Sequence, residues 1–466
     1  MHDFVELILS LLKKGGILAI AAALVCVVCV LIAYIIFRHV TKGEKKFPWR
    51  KTILLIMMTG YAVILFYSTI LRQSGLYGAV SLHLFRGWRE AWNGFSTQLW
   101  LNVLLNVALF VPLGVLLPLI AKVFHRWYLT LAAGLGTTLF VEIIQYITAR
   151  GLFDIDDIFN NVLGCMIGYG LVMLCLTLTH KQEKKLYKSI AYASLPVIFS
   201  LSVIGIFVGY HLQEYGNIRD SAAFTANTSG VTWELACSLE ATETVVPVYK
   251  TESMTKQSCD AFGMEFAKRM GVTFQDVYYY DGMTMFANHS TGDFLNVYYN
   301  DGSYEYSVGG AAHSSEPAET DEETLRTLLA PYGLTIPSNA KFKYIGNGKH
   351  TFTASMELVD DIIVDGTLTC WVREGNVLHR FQNNMLIFTY YKDEEIRTPE
   401  EAYEELRRGN FSGGANFEYC APDTLTVLSC TLEYRTDTKG FYRPVYVFRL
   451  TDYETYDAFV MVHAMK

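Results

Sequence analysis

The chain has 466 residues, of which 51% are hydrophobic and only 18% charged, and its mean hydropathy is +0.22. That balance excludes a disordered chain, a coiled coil and a water-soluble enzyme of ordinary composition. Charge divides the chain: residues 1–210 carry 18 Lys and Arg against 9 Asp and Glu, and the rest carries 20 against 37. A basic, oily first half and an acidic, Tyr-rich second half are therefore read separately.

A helix crossing the hydrocarbon core needs about 20 apolar residues. Six segments meet that length: Ile17–Phe37, Thr52–Leu71, Trp100–Ile120, Trp127–Thr148, Ile158–Leu178 and Ile190–Tyr210. The first is too long for a signal peptide and no small-residue cleavage site follows it, so it reads as an uncleaved helix. Lys and Arg in the loops after the first, third and fifth spans number 12, against 6 on the other side. The positive-inside rule then makes the first set cytoplasmic and the C-terminal domain extracytoplasmic.

Ionisable groups at membrane depth cost several kcal/mol and need a reason. Glu142 lies deep in the fourth span, with Gln145 three residues on along the same face. Asn102 and Asn106 share a face of the third span, where Pro112 removes a backbone hydrogen bond and is expected to kink the helix. The asparagines suit interhelical hydrogen bonding as well as ligand contact. A short turn holding Arg150, Asp154 and Asp156 leads into the fifth span. There Asp157, Asn161, Gly164 and Gly168 form one polar-then-small stripe, whose glycines favour close helix contact.

These residues carry a resemblance. Asn102-Val-Leu-Leu-Asn106-Val-Ala-Leu-Phe-Val-Pro112-Leu-Gly114 resembles the N-x-x-L-F-x-P-L-G signature of VanZ-like membrane proteins, with Asn106 on the family asparagine. Glu142-Ile-Ile-Gln145, Arg150-Gly-Leu-Phe-Asp154-Ile-Asp156-Asp157 and Asn161-Val-Leu-Gly164 resemble its second block, and Tyr67-Ser-Thr-Ile-Leu-Arg72 its lead-in. The likeness covers about residues 50–175. Where many relatives have N-x-x-P-F after the arginine, this chain reads Ser81-Leu-His83-Leu-Phe85-Arg86. The resemblance implies a multi-pass cell-envelope protein of Gram-positive type. The family's eponymous member is linked to reduced susceptibility to teicoplanin, a lipidated glycopeptide antibiotic.

Three functions are expected to compete. In the first, the membrane half handles a membrane lipid, a lipid-linked envelope precursor or another lipidated envelope molecule at the outer leaflet. Arg72 and Arg150 would bind a phosphate or carboxylate headgroup, with Asn106, Gln145 and Asn161 lining the pocket. In the second, Glu142 and Asp157 act in acid–base catalysis, or Asp154 and Asp156 hold a divalent cation. In the third, a membrane-anchored sensor or regulator binds an envelope protein through its C-terminal domain. Nucleic acid is not an expected partner.

The fold class expected is a bundle of six transmembrane helices plus an extracytoplasmic α+β domain. Residues 211–254 read as linker and first strands, followed by three units, each a helix and antiparallel strands, at 255–310, 320–395 and 396–466. Thr398 and Glu401 form a capping box at the third helix, and Asn376–Phe381 reads as a short strand. The third unit, with Pro399-Glu-Glu-Ala402 and Tyr442-Arg-Pro-Val-Tyr-Val-Phe448, resembles the last domain of extracytoplasmic regulators of cell-wall histidine kinases; related units occur in PepSY-type domains. Cys26, Cys29, Cys165 and Cys175 read as apolar packing residues. Of the five later cysteines, Cys420 and Cys430 are the expected hairpin disulfide.

Overall fold

A computed structural model of the chain describes residues 34, 48–71, 80–179, 186–219, 221–223, 225–239, 244–251, 254–280, 282–299, 301–309, 316–334, 336–359, 362–413, 423–451 and 457–466. The expected span Ile17–Phe37 (Tyr34 apart), Arg72 and Cys420 lie outside the described residues. The chain divides into two compact units. Residues up to Ala91 and Thr97–Gln213 form the first; Trp92–Ser96 and Glu214–Lys466 form the second.

The first unit contains α1 (Trp49–Phe66), whose end widens into a π-helical turn, Tyr67–Leu71. There follow β1 (Val80–Ser81), α2 (Arg86–Gly94), α3 (Thr97–Ile120), α4 (Trp127–Ile147), β2 (Phe153–Asp154), α5 (Ile155–Thr179) and α6 (Leu186–Leu212). Among the described residues, five helical stretches are long and apolar enough to cross a membrane: Trp49–Thr69, Thr97–Ile120, Trp127–Ile147, Ile155–Thr179 and Leu186–Leu212. They correspond to the second to sixth expected spans. This is a multi-pass membrane protein.

Small residues let α3 and α5 meet backbone to backbone. A Cβ on Gly164 would stand 1.8 Å from the Val107 carbonyl oxygen, and one on Gly168 would stand 2.1 Å from that of Val111. From the other side, a Cβ on Gly114 would stand 1.8 Å from the Cys165 carbonyl oxygen. Side chains are excluded from this seam, as small-residue packing in membranes requires. Phe110, Leu113 and Leu116 of α3 pack with Leu54, Tyr61 and Leu65 of α1 and with Cys165. α3 runs unbroken through Pro112 and Pro118.

The second unit opens with β3 (Thr232–Leu235) and β4 (Val245–Lys250). Next come α7 (Lys256–Met270) with β5 (Asp276–Tyr279), β6 (Met283–Asn288), β7 (Asp293–Tyr298) and β8 (Tyr304–Ser307). After α8 (Glu322–Leu329) stand β9 (Lys341–Gly346), β10 (Lys349–Val359), β11 (Ile362–Arg373) and β12 (Val377–Glu395). The last stretch is α9 (Pro399–Arg407), β13 (Ser412–Gly413), β14 (Thr424–Thr436), β15 (Phe441–Thr451) and β16 (Asp457–His463). The strands join in one sheet with the path β13-β16-β15-β4-β12-β8-β7-β6-β5. From this path β9, β10 and β11 branch at β12, and β14 and β3 branch at β15.

Two departures from expectation share a cause. β12 continues far beyond Phe381, to Glu395, because its first part pairs with β11 and β8 and its last part with β4. β4, expected near a linker, is a paired interior strand with Val246 and Val248 buried. The long strand thereby joins two cores, one under α7 and α8 around Phe266, Leu325 and Phe381, the other under α9 around Leu406, Tyr446 and Phe448. The Thr398–Glu401 capping box is present, each side chain accepting the other's backbone N–H at 2.9 and 3.3 Å. Among the described residues Cys165, Cys175, Cys237, Cys259, Cys370 and Cys430 are free thiols.

Two predictions follow from packing and charge. Gly164→Ala pushes a methyl into the Val107 carbonyl, so the detergent-solubilised chain should lose about 1–3 kcal/mol of thermal stability. Gly136→Ala, where nothing lies within 4 Å, should not. In the second unit, burial and the repelling Arg443 and Arg397 push His463 down to about 4, while its Nε2 lies 2.7 Å from Ser221 Oγ. An unfolded chain protonates this ring near pH 6.5. Stability is then full above that pH and falls by up to about 3 kcal/mol as pH drops to 4. Unfolding midpoints across this range should decline less steeply in His463→Gln.

Candidate functional site

Helical spacing puts Thr138, Glu142 and Gln145 on one face of α4, and Asp157, Asn161 and Gly164 on one face of α5. The tight α3–α5 seam then sets Asn106 of α3 against Asp157, to which its amide donates a short hydrogen bond. Glu142 is almost wholly buried, at 1% exposure, and its Oε2 accepts the Asp154 backbone N–H at 3.1 Å. Glu142, Asp154 and Asp157 lie within electrostatic reach of one another. One turn deeper, the Asn161 amide donates to Thr138 Oγ1 at 2.9 Å. Its own Oδ1 is buried without a partner. Gln145 donates to the Thr69 carbonyl at 2.9 Å, fastening α4 to the end of α1.

The α5 N-terminus organises a second layer. Both Asp156 oxygens accept backbone N–H groups, one from Phe85 through a short bond and one from Gly87 at 2.7 Å. Four residues on, Asn160 Oδ1 accepts the Trp88 indole N–H at 2.9 Å. Phe85 sits in the left-handed region at φ 66°, a conformation that costs a non-glycine residue energy. The Asp156 carboxylate, placed where a helix dipole favours negative charge, compensates that cost. β1 and β2 add a parallel bridge, pairing Val80 with Phe153 and Ser81 with Asp154.

Asp154 stands between the layers, accepting the Asp156 N–H at 2.9 Å. Burial raises its carboxyl above the ordinary range, with the Asp156 amide and the Arg86 guanidinium pulling the other way. Arg86 itself bonds Glu90 at 2.9 Å.

The structure thus brings together Glu142, Asp157, Asn106, Asn161 and Asp154. Gln145 lies on the same α4 face but bonds towards α1. Arg150 is exposed on the turn after α4, its backbone N–H on the Gln145 carbonyl at 3.0 Å. Asn102 is also exposed and accepts from Gln98, apart from the cluster. Asp154 and Asp156, the expected cation pair, stand next to one another where β2 runs into α5, Asp154 accepting the Asp156 N–H. Asp156 spends both oxygens on loop amides, and among the described residues no three His, Cys, Asp or Glu side chains are placed to hold a metal ion.

Sequence reasoning missed Arg86, Trp88, Thr138 and Asn160. Asn160, four residues after Asp156, and Thr138, four before Glu142, were signals in the helical period. The Trp88 and Arg86 contacts span some seventy residues of chain and left no local pattern.

A family model described as VanZ/LLP1 matches residues 24–176; the site residues fall within that matched stretch, which begins upstream of the expected residue 50. No curated protein and no solved structure matches the chain.

Asp156→Ala removes two acceptors at once and should free the 85–88 loop. Hydrogen exchange at the Phe85 and Gly87 amides should quicken by about tenfold or more, on the scale of a lost charge-assisted bond. Asp154→Ala, which accepts neither amide, should change them far less.

Proposed function

We propose that the membrane unit binds a lipid-linked or lipidated molecule of the cell envelope at the outer leaflet, with the C-terminal domain extracytoplasmic. The observation that carries this reading is the pairing of a buried polar cluster with an apolar groove beside it. The groove, about 460 Å³ and open along one side, is lined by Leu84, Leu135, Ile155, Ile158, Phe159 and Leu163, among other apolar residues. Leu84 and Ile155 directly precede Phe85 and Asp156, the partners of the loop clamp. An acyl or prenyl chain in the groove would therefore lead to a headgroup near Asp154 and Arg86. Arg150, and Arg72 after α1, would meet a phosphate or carboxylate at the rim. Asn106, Gln145 and Asn161 would contribute amides to the polar wall.

A lipidated glycopeptide such as teicoplanin fits the same reading, as a tail for the groove and a polar body for the cluster. Catalysis by Glu142 and Asp157 is its stronger form, since two carboxyls held close together away from water can share and exchange a proton.

One observation favours the alternative of a membrane-anchored regulator. The edge strand β5 exposes Val277, Tyr278 and Tyr279, with Tyr280 beyond it, an apolar-aromatic edge suited to adding a partner's strand.

Leu163→Trp should fill the groove. In native mass spectrometry of the full chain released from detergent, retained phosphatidylglycerol should fall several-fold while the melting temperature holds. Unchanged retention would count against the lipid reading. If instead the variant keeps wild-type function in cells and loss of Tyr278 and Tyr279 abolishes it, the regulator reading gains.

A further inference from the structure

Two cysteines reach the core under α9 from opposite ends of the second unit. β3 stands at a sheet edge, where it pairs in parallel with β14, Trp233 opposite Leu425 and Leu235 opposite Val427. The ladder runs one step past β3: the Ala236 N–H donates to the Val427 carbonyl at 3.0 Å. The next residue is Cys237, which in continued register falls opposite Ser429. Side chains alternate between the faces of a strand, so an undisturbed β14 would turn Ser429 towards Cys237 and Cys430 away from it.

A β-bulge reverses that arrangement. β14 shifts its register against β15 between Val427 and Ser429, and one extra residue exchanges the faces of all that follow. Before the shift Leu425 and Val427 are buried in the core under α9; after it, Cys430 and Leu432 pack against that core. Cys237 packs against the same core, as do Trp233 and Leu239 on either side of it. The bulge therefore brings Cys430 onto the face and to the level of Cys237. α9 marks the same spot: Cys237 lies within electrostatic reach of Tyr403 and Cys430 of Glu400, one turn apart, and the two thiols within reach of each other. Both are half-buried free thiols. Adjacent strands run about 4.8 Å apart, inside the range of about 4.4–6.8 Å between Cα atoms that a disulfide bridges.

We infer that Cys237 and Cys430 are a disulfide site, a covalent staple that ties the edge strand β3 to β14 when the domain meets an oxidising exterior. The staple is independent of the lipid reading and takes from it only the extracytoplasmic placement. The reaction is exchange with an external disulfide. Burial pushes the Cys430 thiol up to about 12; it raises Cys237 as well, but there a backbone hydrogen bond pulls the other way, so Cys237 attacks first. Its thiolate forms a mixed disulfide and releases one external thiolate. The Cys430 thiolate then attacks the Cys237 sulfur and expels the second. Both cysteines lose their protons, and the external disulfide takes up two electrons to become two thiols. Cys259 and Cys370 belong to the other core, under α7 and α8. The bridge closes most of the second unit into one loop, the case in which a cross-link restricts the unfolded chain most.

The test incubates the full chain in detergent with oxidised glutathione, blocks remaining thiols with N-ethylmaleimide and maps the unreduced digest by mass spectrometry. A peptide joining Cys237 to Cys430 should appear, and dithiothreitol should abolish it. The bridged chain should melt about 5 °C or more above the reduced one, a difference that Cys237→Ser and Cys430→Ser should each remove. A peptide joining Cys420 to Cys430 instead, glutathione left on Cys237, or no linked peptide overturns the proposal. Cells treated with N-ethylmaleimide before lysis test the placement separately. A pair joined there as well as in detergent supports both claims; a pair joined in detergent but reduced in cells supports the site and overturns the extracytoplasmic placement.

Discussion

Backbone contact between α3 and α5 is the constraint from which the membrane unit follows. Gly114, Gly164 and Gly168 leave no room for side chains along the seam, so the helices approach as closely as their carbonyls allow. In lipid, helix association gains little from the hydrophobic effect and depends on such packing and on interhelical hydrogen bonds. The same approach places Asn106 within bonding distance of Asp157. A polar contact that would be weak in water is here shielded from competition, and it fixes the rotation of α5. Asn161 and Asp156 then point where α4 and the 85–88 loop need them.

Burial on this scale has a thermodynamic consequence. Carboxyl groups gathered at membrane depth must be protonated, hydrogen-bonded or matched by positive charge. Asp156 takes the second course and becomes a structural clamp. Among the described residues Glu142 and Asp157 accept one hydrogen bond each, which sets them apart from Asp156 with its two backbone amides.

Much of this was legible in the sequence, for identifiable reasons. The spans could be read because hydrophobic length is a one-dimensional property. Glu142 with Gln145, and Asp157 with Asn161, were readable because helical period converts spacing into a face. The C-terminal strands were legible where alternation and turn residues coincide, as at Met283–Asn288. What escaped was non-local. Nothing near Asp156 in the chain announces that its carboxylate reaches back to Phe85 and Gly87. The continuation of β12 to Glu395 depends on β4, a strand far earlier in the chain, and could not be seen from its own residues.

The central claim is that polar groups from separate helices converge at one place. Disulfide trapping tests it most directly, in the full chain carrying Asn106→Cys and Asp157→Cys, with native thiols blocked by substitution. Mild oxidation in membranes should join the pair rapidly and nearly completely, while Asn102→Cys with Asp157→Cys stays open. Absence of the first cross-link, or equal yield from both pairs, would contradict the account.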